Sequence, residues 1–222
     1  MTRSYRAAWL LARILLWGLF GFRTEGVAHC PRQGPLLVAA NHVSWLDPVV
    51  LGAALPRQVV FVGAEDLLGI RVSPGFVPWR GLLRVIAPMV RWFGMIPVRR
   101  TEVEPGAYTG SALRAALRVL RGGGCLVLFP EGGVNRTADI LAPLRPGIAL
   151  LSARAQAPIL PAWIFGTDRA LPLGEVIPRP VRVGVRFGPT LPPPQDGSDP
   201  EIARALEKLR TAMIGLHDAG AP

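Results

Sequence analysis

The chain has 222 residues, half of them apolar, and a mean hydropathy of +0.34, which suits one domain with a real core and excludes a disordered chain. Its net charge of +10 comes almost wholly from arginine, Lys208 being the only lysine, and asks for an anionic partner. The arginines are scattered among apolar residues and no nucleic-acid motif appears, so lipid headgroups or a phosphorylated substrate fit better than nucleic acid.

The segment from Ala7 to Phe22 is nearly all apolar, interrupted by Arg13 and closed by Arg23. It falls short of the ~20 residues that cross a bilayer, and an arginine in mid-span is costly there. On a helical wheel Arg3, Arg6 and Arg13 share one arc, into which Leu10 and Trp17 intrude. The pattern predicts a membrane-associating helix over residues 1–24, lying in the interface or shallowly inserted. A docked core helix and a secretory signal are the competing readings, the signal lacking a good small-x-small cleavage site. Cys30 and Cys125 have no metal-ligand spacing and no nearby histidine pair, and read as unpaired thiols in a reducing compartment.

Residues 25–222 form the second unit, a single α/β domain. Short apolar runs at 36–40, 59–62, 95–98, 125–129 and 159–164 read as buried strands, and helical patterns fill 44–55, 80–93, 109–121 and 146–157 between them. A strand at 181–187 alternates Val with Arg and Gly, as an edge strand does. A final helix over 199–216 repeats Ile202, Leu206, Leu209 and Met213. Strands alternating with helices predict a largely parallel central sheet flanked by helices, with the chemistry in loops beyond the strands' carboxyl ends.

The first such loop is Asn41-His42-Val43-Ser44-Trp45-Leu46-Asp47-Pro48. A spacing of five does not place His42 and Asp47 on one face of a regular helix. They meet only if His42 precedes the helix and Asp47 lies in its first turn, a layout that Ser44 as N-cap and Pro48 near the start both allow. Asp47 then accepts the Nδ1 proton and leaves Nε2 free to take a proton from an alcohol. The same residues also fit a plain capping box, with Asp47 in the place of the usual Glu. The second loop, Phe129-Pro130-Glu131-Gly132-Gly133-Val134-Asn135-Arg136, follows a strand directly. Gly132 and Gly133 permit a tight turn whose exposed N–H groups suit an anion, and Arg136 adds a bidentate partner for phosphate; a simple turn is the alternative. Arg80, Arg84 and Arg91 recur with Trp79 and Trp92 as a second candidate membrane-facing strip, or as a plain solvated face.

His42-x4-Asp47 within N-H-x-S-W-x-D resembles the first sequence block of the PlsC-type lysophospholipid and glycerophospholipid acyltransferases. Gly94-Met95-Ile96-Pro97-Val98-Arg99-Arg100 resembles the second block, Phe129-Pro130-Glu131-Gly132 the third, and Ile159-Leu160-Pro161-Ala162 the fourth, in order over roughly residues 35–165. The resemblance implies an O-acyltransferase that moves a fatty acyl group from acyl-CoA or acyl carrier protein to a lysophospholipid hydroxyl. By the same resemblance the expected acceptor is 1-acylglycerol 3-phosphate, giving phosphatidic acid, and the implied transfer is direct, without an acyl-enzyme. It further implies a His42–Asp47 base, an acceptor site built from Arg100, Glu131, Gly132, Gly133 and Arg136, neither metal nor bound cofactor, and attachment to the cytoplasmic face of a membrane.

The chain departs from the family at three places. Gly133-Val134-Asn135 stands where the third block continues T-R-S, so its usual arginine is missing and Arg136 comes later. Ala64 stands where a lysine is common, and Leu144-Arg145-Pro146-Gly147 replaces a phenylalanine-lysine-x-glycine stretch. These leave open another lysolipid or an amine-bearing lipid as acceptor. The rival from a different class is a non-catalytic, basic lipid-binding protein, which would have no need of a base–carboxylate pair.

Overall fold

A computed structural model of the chain describes residues 1–64, 95–98, 110–175 and 177–222. The expected helix at 80–93, the tryptophan–arginine strip at 79–92 and Arg100 lie outside the described residues. In chain order the elements are α1 (Arg3–Phe20), β1 (Arg23–Glu25), a 3₁₀ turn (Val27–His29), β2 (Leu36–Ala40), α2 (Asp47–Ala54), β3 (Val59–Ala64), β4 (Met95–Val98), α3 (Gly110–Arg121) and β5 (Cys125–Leu128). They continue with α4 (Gly147–Ala155), β6 (Ile159–Phe165), α5 (Thr167–Ala170), β7 (Gly184–Phe187) and α6 (Asp199–Asp218).

The described strands form one sheet in the order β1-β7-β6-β2-β5-β3-β4, parallel at every pairing except the antiparallel β6–β7. β2 is central, paired with β5 and β6, and all five of its residues are buried, as a strand covered on both faces must be. Alternate residues divide the core in two. Leu36, Val38, Ala40, Val127, Leu160 and Ala162 pack with α1 and α2 on one face. Leu37, Ala39, Leu126, Leu128, Ile159 and Trp163 pack with α3, α4 and α6 on the other. The expected parallel α/β sheet is therefore present as a three-layer arrangement. One expectation is corrected: β7 is not an edge strand, because β1 pairs outside it through Arg23–Gly184, Thr24–Val185 and Glu25–Arg186.

At the amino end of the sheet the Arg57 side chain donates to the carbonyls of Pro31, Gly34 and Gly123 at 2.8–2.9 Å, closing two loops that carry no ladder of their own. Cys30 and Cys125 are free and buried, and burial pushes their thiols up to about 11 and about 12.

α1 begins at Thr2, whose Oγ1 accepts from the Tyr5 N–H at 3.2 Å, and ends at Gly21 in the left-handed region, whose N–H returns to the Trp17 carbonyl. Its inner face, Tyr5, Ala8, Ala12, Leu16 and Phe20, is buried, most of it in the cluster that includes α2. Its outer face leaves Leu10, Leu11, Ile14, Leu15, Trp17 and Leu19 exposed, Trp17 at 72%. Arg13 does not join Arg3 and Arg6 at the surface. Its guanidinium donates to the Ala53 carbonyl at 3.0 Å and lies over the rings of Trp9 and Phe22. No helix among the described residues is long and apolar enough to cross a membrane.

Candidate active site

The parallel strands direct their carboxyl ends to one side of the sheet, and the loops after β2 and β5 meet there. β2 stops at Ala40, and the next residue continues the pairing with its side chain. Asn41 donates from Nδ2 to the Ile164 carbonyl at 3.1 Å and accepts the Ile164 N–H on Oδ1 at 2.7 Å. This buried amide stands in for one rung of the ladder, so the backbone turns away at His42 while β6 keeps its partners.

The turn carries His42 to Asp47. His42 Nδ1 and Asp47 Oδ2 are 2.8 Å apart, with Asp47 fully buried and His42 almost so. The same Oδ2 accepts the backbone N–H groups of Val43 at 2.7 Å and Ser44 at 2.8 Å. An oxygen holding three donors has its direction fixed. A carboxylate oxygen accepts only, so Nδ1 carries the proton and the Nε2 lone pair is left for chemistry. Asp47 Oδ1 is buried with no hydrogen-bond partner.

Asp47 is the first residue of α2, as the spacing requires, whereas the expected cap at Ser44 is corrected: the helix starts three residues later. The Ser44 hydroxyl instead donates to the Leu171 carbonyl at 2.8 Å and accepts the Leu46 N–H at 3.2 Å, tying this loop to the chain after α5. A capping box is therefore absent, and Asp47 reaches back to the Ser44 N–H with the same oxygen that meets the imidazole.

The loop after β5 closes over His42 from the other side. The Phe129 ring stacks on the imidazole at 4.1 Å and 19°, and Trp45 meets it edge-on at 6.4 Å. Glu131 is buried. Its Oε1 accepts the His42 N–H at 2.8 Å and its Oε2 the Ala142 N–H at 2.9 Å, while the Asn135 N–H donates to the His42 carbonyl at 2.6 Å. Burial raises the Glu131 carboxyl above the usual carboxylate range, the two amide donors opposing it only in part.

Gly132 turns with φ near +82°, which favours glycine, and a Cβ there would push against the Arg145 side chain. The Arg145 N–H donates to the Pro130 carbonyl at 2.8 Å, which closes the loop on itself. Arg136 is exposed and Gly133 half-buried at the rim. Of the expected acceptor residues, the structure thus brings Glu131 to His42, sets Gly132 in the turn that follows it and leaves Arg136 in solvent. Asn41 and the Phe129 stack were not foreseen; the only sequence sign of them is their adjacency to the two motifs.

Residues 21–165, more than half of the chain, match the family described as Acyltransferase. The lyso-ornithine lipid O-acyltransferase of Rhizobium meliloti is 35% identical over 143 residues, covering 63% of this chain and 42% of that protein. The human 1-acyl-sn-glycerol-3-phosphate acyltransferase alpha is 30% identical over 212 residues, covering 88% of this chain and 64% of that protein. The chain spans about half the length of the curated relatives it matches. The crystal structure of PlsC, the 1-acyl-sn-glycerophosphate acyltransferase from Thermotoga maritima, shares the fold with a TM-score of 0.71 at 18% identity, covering 98% of this chain and 81% of that one. By the extent of the family match and the four ordered sequence blocks, the chain belongs to the acyltransferase family.

Proposed function

We propose that the chain is an O-acyltransferase that moves a fatty acyl group from acyl-CoA or acyl carrier protein to a lysophospholipid hydroxyl, with 1-acylglycerol 3-phosphate as acceptor and phosphatidic acid as product. The observation that carries this reading is the 2.8 Å contact between His42 Nδ1 and a fully buried Asp47, which leaves Nε2 as a base. Nε2 removes the proton of the acceptor hydroxyl as its oxygen attacks the thioester carbonyl. The C–S bond breaks, and the imidazolium returns its proton to the departing thiolate, so an ester and a free thiol result and His42 is reset. Asp47 stabilises the imidazolium between these steps. Such general base catalysis contributes about 10²–10⁴-fold. The phosphate of the acceptor is held by Arg100, the Gly132–Gly133 turn and Arg136, which fixes the hydroxyl near His42.

A second acceptor class, an amine-bearing lysolipid, is favoured by Gly133-Val134-Asn135 in place of T-R-S and by the relative from Rhizobium meliloti. The deciding experiment is thiol release from acyl-CoA by the full chain over a panel of acceptors. Release that depends on 1-acylglycerol 3-phosphate supports the first reading, and dependence on a lyso-ornithine lipid alone selects the second. No acceptor-dependent release leaves a lipid-binding protein.

The chain is also proposed to dock on the cytoplasmic face of a membrane through α1. The exposed apolar face of the helix supports this, with Arg3 and Arg6 exposed on its first turns. α1 also ends on the active-site side of the sheet. The Phe20 carbonyl accepts from Val183, just before β7, which starts opposite Phe165 at the carboxyl end of β6. A bilayer against the outer face of α1 therefore borders the side where a lysolipid must enter.

A further inference from the structure

We propose that Glu131 is a positioning residue for His42, holding the base through its backbone, and not a ligand of the acceptor. The inference rests on the reading of His42 as the base. Both carboxylate oxygens of Glu131 already accept backbone amides, that of His42 at 2.8 Å and that of Ala142 at 2.9 Å, and the side chain is buried. A carboxylate is also a poor ligand for an anionic headgroup, since like charges repel.

His42, by contrast, needs an outside hold. β2 ends at Ala40, so no strand ladder fixes its peptide. The loop after β5 takes up that task at three points: Glu131 accepts its N–H, the Asn135 N–H donates to its carbonyl at 2.6 Å, and Phe129 stacks on its ring. Asp47 fixes the rotation of the imidazole, and Glu131 with Asn135 fixes where the imidazole starts from. A misplacement of ~1 Å at such a centre can cost ~10²-fold in rate. The second oxygen of Glu131, on Ala142, ties the far end of the same loop to the same carboxylate. The base and the loop that borders the acceptor are thereby held in one register.

The test is steady-state transfer by the full chain carrying Glu131→Gln. Glutamine keeps one acceptor oxygen and presents an NH₂ to the other amide, so one of the two tethers is lost. The expected result is a kcat lower by about 10- to 100-fold, with the KM for lysolipid within about two-fold. Combined with His42→Ala, the substitution should lower the residual rate no further, because it acts through the missing base. Should Glu131→Gln fail to fold, Glu131→Asp keeps the buried charge and, one methylene shorter, reaches only one of the two amides, with the same split expected. A KM that rises while kcat holds, an effect additive with His42→Ala, or wild-type kinetics in the folded variant overturns the proposal. A His42→Ala protein that retains wild-type turnover instead overturns the reading of His42 as base.

Discussion

At the carboxyl end of β2, buried polar groups are bonded within the chain, while along the outside of α1 large apolar side chains stand in solvent. Asn41 bonds to Ile164 and Ser44 to Leu171, each more than a hundred residues away, and His42 is held by Asp47, Glu131 and Asn135. Asp47 Oδ1, also buried, has no such partner. On α1, Leu10, Ile14, Trp17 and Leu19 are each more than half exposed. A satisfied buried network is rigid and complete in itself. A contiguous exposed apolar face marks a surface that something else covers. Under the proposed function, the first region would carry the chemistry and the second would meet the bilayer that delivers the lipid.

The largest expected effect falls on the self-contained side. Asp47→Asn keeps the volume but replaces an acceptor oxygen with an NH₂ and removes the charge that stabilises the imidazolium. Turnover should fall by about 10²-fold or more, measured as acceptor-dependent thiol release. The melting temperature should fall as well, because leaving the Val43 or Ser44 N–H without its acceptor costs about 1–3 kcal/mol. Near wild-type turnover would reduce Asp47 to a helix cap.

A smaller effect separates the two faces of α1. Ile14→Ser with Trp17→Ser should weaken partition to anionic vesicles by about tenfold or more, since each apolar side chain removed from lipid contact is worth up to ~1.5–3 kcal/mol. Neither the melting temperature nor activity on detergent-dispersed lysolipid should change. Ala12→Leu, on the fully buried inner face, should do the reverse, lowering stability by about 1–3 kcal/mol through overpacking. Vesicle binding that survives the outer-face substitutions would remove α1 as the docking element.

The smallest effect is the pH dependence of stability at Glu131. Its carboxyl is raised in the folded state by burial, so the folded protein binds this proton more tightly than the unfolded chain does. Its contribution to stability is therefore greatest below the ordinary glutamate range. It declines as pH rises toward the folded value and is constant above it. Denaturant unfolding of wild type and Glu131→Gln across that window should show their difference shifting against wild type as pH rises. A difference that moves the other way would mean that the amide donors outweigh burial.

Much of the scaffold was legible because local rules and tertiary structure agree. Leu36–Ala40 and Cys125–Leu128 are short apolar runs, as strands buried on both faces must be, and the spacing of His42 and Asp47 forced the strand-to-helix corner that the structure has. β1 was not legible, since Arg23-Thr24-Glu25 has no strand signature and extends only because β7 offers a free edge. That unseen pairing is also why β7 looked like an edge. The split of α1 into an inner and an outer face escaped the sequence because both faces are apolar, and hydropathy cannot say which one the core takes. Glu131 read as a substrate ligand from its motif. Its bond to His42 spans 89 positions and is visible only once β2 and β5 pair.

The most direct test of the account is lysolipid-dependent thiol release from acyl-CoA by purified His42→Ala, compared with wild type at equal folded concentration. The account predicts a loss of about 10²-fold or more with secondary structure and melting temperature little changed, because only the imidazole has gone. Turnover close to wild type in the folded variant would contradict it.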